Sequence, residues 1–300
     1  MSYILTAEEI IAINTKADMY VGLTVPYPTI APIRTMPPAY KTEWYTLERF
    51  EVPRGSIDGA DYVEVATART KGNADTIIYR YKFSIPYNDV DIARRHGIPI
   101  WSENIGVAME NMNDTILHLI LEGTHTWDPV AINGIRAGGT DGSDATTDGA
   151  AWDTVTSPFV HAGVHWQQLN TAGFKAPFTW LMSSNLGKGI RAKYGAGDPD
   201  HMSLITKAYE VNEFIFLPIG TSIRSRSYPI APATADDGVT FMYKKDPSVF
   251  RLAQTGPPKL KIIPELNEEK WAFEGYISWQ GTVEVIQATG IQYNPETDLA

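Results

Sequence analysis

The sequence predicts an α+β fold, and two observations carry that expectation. Residues 98–123 hold the longest helical pattern in the chain. Ile105, Met109, Met112, Ile116, Leu119 and Ile120 recur there mostly at three- and four-residue steps, which sets them on one face. Elsewhere strand-type alternation dominates, most clearly where Tyr79, Tyr81, Phe83 and Ile85 alternate with Arg80, Lys82 and Ser84. Roughly twenty helical residues make a rod of about 30 Å. Its apolar face is broad enough to require a partner layer along the whole length.

Composition narrows the possibilities. At 300 residues the chain can bury a sizeable core, in one large domain or two modest ones. A net charge of −10 argues against tight, non-specific nucleic-acid binding over the whole surface, though not against a local basic patch. The absence of cysteine excludes disulfides, thiolate metal sites and a cysteine nucleophile. No run approaches a membrane span, and Glu8 and Glu9 stand where a signal peptide would be basic and then apolar. The expectation is a soluble protein kept in the cytoplasm, or released with something assembled there.

Each element has a local reason. Residues 6–20 read as a short amphipathic helix, with Thr6 and Glu9 at capping-box spacing and Ile10, Ile13 and Met19 on its apolar side. Residues 21–40 hold Pro26, Pro28, Pro32, Pro37 and Pro38 and read as an extended arm. Trp44, Tyr45, Leu47 and Phe50 lead to a turn-rich tip, Arg54, Gly55, Ser56, Ile57, Asp58 and Gly59; Tyr62, Val63 and Val65 lead away, as in a long hairpin. That hairpin is either part of a compact sheet or a projection that packs on a neighbouring subunit. Residues 88–96 form a short helix capped by Asn88. Ser102 can cap the long helix and Gly123 can end it. Residues 138–149 read as a glycine- and aspartate-rich loop, and 157–171 as a helix burying Phe159, Val164 and Leu169. Residues 178–182 are a buried strand, Ser183 or Ser184 starts a helix towards Tyr194, 200–209 is a further helix and 211–219 a strand. Strands at 239–243, 250–253, 260–263 and 271–286 follow.

Motifs of catalysis are weak. His161 and His165 share a helical face at the spacing zinc proteases use, but Ala162 stands where the general-base glutamate belongs. Asp141, Asp144 and Asp148 invite a calcium site, yet the glycine and glutamate of an EF-hand loop do not line up. Gly187-Lys188 lacks the remainder of a phosphate-binding loop: Met182 and Gly189 occupy the required glycine and hydroxyl positions. Asn113-Asp114-Thr115 matches a glycosylation pattern but lies within the long helix. No catalytic, metal-binding or cofactor-binding set is predicted, and the expectation is a protein that is not an enzyme.

The order of elements is the stronger signal: arm, hairpin, short helix and glycine, long helix, mixed α/β region, terminal strands. It resembles the HK97-like fold of tailed-phage major capsid proteins, shared by encapsulin shell proteins. Residues 83–97, with Phe83-Ser84-Ile85-Pro86 and Gly97, resemble the approach to that family's spine helix; Leu119-Ile120-Leu121-Glu122-Gly123 resembles its exit. Ala131-Ile132-Asn133-Gly134-Ile135 resembles the encapsulin stretch that turns on a glycine, and residues 172–182 resemble the start of the axial domain.

The resemblance implies an N-terminal helix and arm (1–40), an extended loop (41–86), a peripheral domain with the spine (87–171) and a mainly axial domain (172–300) whose terminal strands return to the peripheral domain. It implies pentamers and hexamers closing into an icosahedral shell around viral double-stranded DNA, without sequence-specific binding or membrane contact. The hairpin tip would lie on a neighbouring subunit and the arm would reach along another. Scaffold, portal or cement proteins would be separate partners, since the arm begins too early to leave room for a fused scaffold. The shell would belong to a virion capsid assembled in the host cytoplasm. The alternatives are an encapsulin compartment holding cargo enzymes, and a metal-dependent α+β enzyme using His161 and His165.

Overall fold

The computed structural model describes residues 5, 8, 10, 26–49, 67–97, 103–124, 128–141, 157–191, 199–217 and 237–298. In chain order the elements are α1 (Tyr27–Ile30), β1 (Ile33–Thr35), β2 (Lys41–Arg49), β3 (Thr67–Asp75), β4 (Ile77–Pro86), α2 (Tyr87–His96), α3 (Glu103–Leu121), α4 (Ile135–Gly138), β5 (Thr140–Asp141), α5 (Ser157–Thr171), β6 (Phe178–Ser183), α6 (Gly187–Ile190), α7 (His201–Tyr209), β7 (Val211–Leu217), β8 (Asp237–Tyr243), β9 (Phe250–Gln254), β10 (Lys259–Asn267), β11 (Ala272–Val285) and β12 (Ile291–Asp298).

The long helix is α3, and its apolar stripe is buried as the spacing requires. Ile105, Met112, Ile116, Leu119 and Ile120 are fully covered, and Met109 packs partly buried against the same core. The partner layer is a mixed sheet centred on β11. That strand pairs antiparallel with β4 over residues 272–281, with β10 over 272–278 and with β9 over 281–285. Alternation then sorts the side chains of β4. Ile77, Phe83 and Ile85 are buried and Tyr79 and Tyr81 partly buried against the spine, while Ile78, Arg80 and Lys82 point away. A polar pin fixes the spine's position on β4. The Thr115 hydroxyl donates to the Asn111 carbonyl at 2.7 Å, leaving its oxygen to accept from the Tyr81 hydroxyl at 2.6 Å.

The spine ends where the chain doubles back. Gly123 takes φ +94° and bridges Asn133, and Thr124 and Ile132 exchange hydrogen bonds at 2.9 and 2.8 Å. A side chain on Gly134 would stand 2.5 Å from the Leu121 carbonyl, so only glycine admits this approach. The chain therefore turns on a glycine pair, as expected for the stretch after the spine.

A second sheet, β5-β12-β8-β6-β7, carries the other half of the core. Every residue of β6 is buried because both its faces are covered. Phe178, Trp180 and Met182 face a cluster formed with α5 and α7, and Leu181 faces the spine's core. α7 begins at an Asp200 cap, whose carboxylate accepts from the Ser203 N–H at 2.9 Å.

Several expectations need correction. Residues 26–36 of the arm lie on their own subunit. α1 fits between the spine and the second sheet: the Tyr27 N–H donates to Asn113 at 3.3 Å, the Ile30 carbonyl accepts from the Tyr243 hydroxyl at 3.0 Å, and the Thr29 carbonyl accepts from Lys245. β1 then adds to β9 in parallel, and Arg34 and Arg251 both reach Glu284, which is fully buried, at 3.3 and 2.5 Å. Buried charge of this kind is tolerable only because it is paired. Prolines restrict such a segment to an edge, not to a neighbour.

Asn88 does not cap α2: Pro86 occupies the cap and Tyr87 opens the helix, because proline fixes the backbone leading into the first turn. The second hairpin strand is described over Thr67–Asp75, and Phe50, Tyr62, Val63 and Val65 lie outside the described residues. Ser184 opens a short 3-10 turn before α6, in place of one longer helix. α5 buries Leu169 as expected, but Phe159 and Val164 are only partly covered and His161, Ala162 and His165 take the inner positions. This helix packs on the second sheet. β12 was not foreseen, since Pro295 sits within it; the strand tolerates the proline at a register shift between Asn294 and Thr297. Of the helix expected over 6–20 only residues 8 and 10 are described, both helical, with Ile10 partly buried against the core; the Ser102 cap lies outside the described residues.

Ile116 sets a test of this core. Ile116→Asp buries an unpaired carboxylate against β4 and should cost several kcal/mol. The expected outcome is loss of the folded circular-dichroism signal and of solubility; a folded, soluble variant would place that face in solvent.

Candidate functional site

The hairpin that the sequence singles out is built as a ribbon. β2 and β3 pair in register from Lys41↔Asp75 to Arg49↔Thr67 and form a sheet of their own. Cross-strand ion pairs line it: Lys41 with Asp75 at 3.4 Å and Lys71 with Glu43 at 2.6 Å. Trp44 lies directly over Gly72, where a Cβ would fall 2.3 Å from the indole. The root is held by two carbonyls. Ala39 accepts from the Gln280 amide at 2.9 Å and from the Thr76 hydroxyl, while the Thr76 N–H donates to the Tyr40 carbonyl at 2.9 Å. Tyr40 at this root is 90% exposed. The tip residues Arg54, Gly55, Ser56, Ile57, Asp58 and Gly59 lie outside the described residues.

Among the described residues the ribbon has no third strand, and a two-stranded ribbon by itself is marginal in water. Ion pairs as exposed as these add at most about 1 kcal/mol each. The ribbon is therefore a structure that needs a second surface.

The outer face of the first sheet is the other conspicuous surface. Arg80 and Lys82 of β4, Tyr276 and Ser278 of β11, and Lys259 and Lys261 of β10 point away from the spine. Glu274 is a carboxylate of this face, held between Lys82 at 2.7 Å and Lys270 at 3.0 Å. Hydrogen bonds from Lys82 and then Lys270 lower its carboxyl from the ordinary 4.5 to about 2. The hairpin turn beside it presents Trp271, 57% exposed and at φ +48°, edge-on to Tyr87 at 5.9 Å.

The other sequence candidates do not assemble into a site. His161 and His165 are fully buried on the inner face of α5, within the aromatic and aliphatic layer of the second sheet. No group of three or more potential metal ligands occurs among the described residues. Asp141 falls in β5, paired with Tyr293, while Asp144 and Asp148 lie outside the described residues. The paired cations of the sheet face were missed in the sequence. The alternation of Arg80 and Lys82 was visible, but Lys259 joins them only through the register of β10 on β11.

No protein-family model matches the sequence, and no curated protein matches it. Solved structures do. A virus-like particle from Pyrococcus furiosus superposes with TM-score 0.65 at 11% identity, covering 96% of this chain and 99% of that one. A phage-related protein from Bordetella bronchiseptica RB50 gives TM-score 0.62 at 12% identity, covering 98% and 97%. The capsid of Myoviridae phage XM1 gives TM-score 0.58 at 12% identity, covering 87% and 86%. At such identities the likeness is one of fold, and the chain has the HK97-like fold.

The Glu274 cluster sets a pH test. A carboxyl lowered by folding contributes stability that is complete above its ordinary 4.5 and is lost as pH falls through about 2. Wild type should therefore melt higher than Glu274→Gln at pH 7, and the gap should close as the pH is taken from about 4.5 to 2. A gap that persists unchanged at pH 2 would show that the charge plays no part.

Proposed function

We propose that this chain is a structural, non-enzymatic shell subunit: copies assemble as pentamers and hexamers into the icosahedral capsid of a tailed double-stranded DNA virus. The observation that carries this reading is the projecting ribbon β2–β3, a sheet of its own on a fold matched from end to end by particle-forming proteins. A monomer has no use for a marginal ribbon; a closed shell repeats one weak contact many times and makes their sum strong. In this reading the first sheet with α3 is the peripheral domain and the second sheet the axial domain, whose tips meet at the symmetry axes. The tip residues 54–59 contact a neighbour. Separate scaffold, portal or cement proteins join the assembly, which forms in the host cytoplasm.

A second reading, a compartment shell enclosing cargo proteins in place of a genome, is supported by the likeness to the virus-like particle, which covers nearly all of both chains. The two share assembly and differ in content.

Expression of the chain alone, followed by size exclusion and negative-stain microscopy, tests both. Uniform closed particles are expected, and Gly55→Pro at the hairpin tip should yield folded subunits that fail to close. Nucleic acid in the particles favours the virus, and captured protein the compartment. A chain that stays monomeric at every concentration and salt overturns the shell reading.

A further inference from the structure

We infer that the layer of α5 and α7 over the second sheet is an acid-sensitive catch, which lets go below about pH 6 while the spine and the first sheet hold. The device belongs to the subunit, so it goes beyond the shell reading and does not depend on assembly.

Three of the chain's six histidines lie in that layer. His161 and His165 of α5 are fully buried, and His201, which opens α7, is 1% exposed. The strand register fixes what faces them. Phe178, Trp180 and Met182 of β6, with the residues paired beside them on β7, β8 and β12, form the wall on which the helices pack. None of these is ionisable, and the polar members, Thr240, Gln292 and Asn294, are uncharged. α5 itself holds no Asp, Glu, Lys or Arg from Ser157 to Thr171. On α7, Tyr209 packs its ring on Phe159 and Trp166, while Lys207 and the following Glu210 are exposed. Arg191, after α6, stacks over Phe216 at 5.0 Å and adds a positive charge. The carboxylate that adjoins the layer is Asp200, beside His201, and it is engaged by the Ser203 N–H at 2.9 Å.

Such a layer accepts neutral imidazole and rejects imidazolium, because a charge taken out of water must be compensated. Burial pushes the His201 imidazole below its ordinary 6.5, against the opposing pull of Asp200. The opened layer therefore binds protons in preference to the closed one. Its stability is complete above the ordinary imidazole range and falls as the pH drops below it. The spine half is built differently. Its buried Glu284 is paired with Arg34 and Arg251, and among the described residues no histidine there is fully buried. Separate opening is possible because α5 and α7 lie on the face of β6 opposite the spine: Trp180 and Met182 face the helices, and Leu181 faces the spine's core.

Amide hydrogen exchange on the full chain, corrected for the intrinsic rate at each pH, tests the inference. Each histidine held neutral contributes up to about tenfold per pH unit. From pH 7 to pH 5 the opening equilibrium over residues 157–171 and 201–209 should rise at least about a hundredfold, and that over 103–121 and 272–285 less than about threefold. Equal protection of α5 and α7 at both pH values overturns the inference, as does a loss spread evenly over the spine. His161→Gln/His165→Gln/His201→Gln takes up none of these protons and should lose the response, with His96, His118 and His125 still present. A variant that opens in acid like wild type overturns the inference. If the variant does not fold, titration of the wild-type imidazoles by NMR decides. Protonation that coincides with loss of α5 protection supports the catch, and protonation with α5 still protected overturns it. Subunits and particles serve equally, so either result leaves the shell reading intact.

Discussion

The structure depends on one contact, the apolar face of α3 laid across β4 and β11. A helix of 19 residues with Ile105, Met112, Ile116, Leu119 and Ile120 on one side cannot stand alone in water. β11 supplies a 14-residue strand to receive it, and that strand then organises its neighbours: β4, β10 and β9 all pair with it. The arm follows, because α1 fills the space between the spine and the second sheet, and β1 is tied to β11 through Arg34 and Glu284. Both sheets thus share one core through the spine.

What the core leaves outside defines what the molecule can do. The spine covers one face of the first sheet, so the opposite face must meet solvent or a partner. Among the described residues the ribbon pairs with no third strand.

Much of the fold was legible because it is local. The spine, β4 and α7 announce themselves through periodicity and through Asp200 as a cap. Gly123 was readable as the end of the helix, while the turn on Gly134 came from the resemblance of residues 131–135 to the family's stretch after the spine. The misses have long-range causes. β12 contains Pro295 and exists because β8 offers it an edge across a register shift. His161 and His165 looked like candidate ligands by spacing; packing on the second sheet makes them core. Prolines bar the arm from helix and central strand but do not say which surface it lies on, and an edge position on β9 accommodates residues 33–35. The basic face needs the pairing of β10 with β11, which no local pattern reports.

The central claim is that the ribbon is incomplete within one subunit and is completed by assembly. Amide hydrogen exchange over residues 41–49 and 67–75, compared between dissociated subunits and closed particles, addresses it directly. The account predicts fast exchange in the free subunit and slow exchange in the particle, with the spine protected in both. Ribbon amides as protected in the free subunit as the spine's own would contradict it.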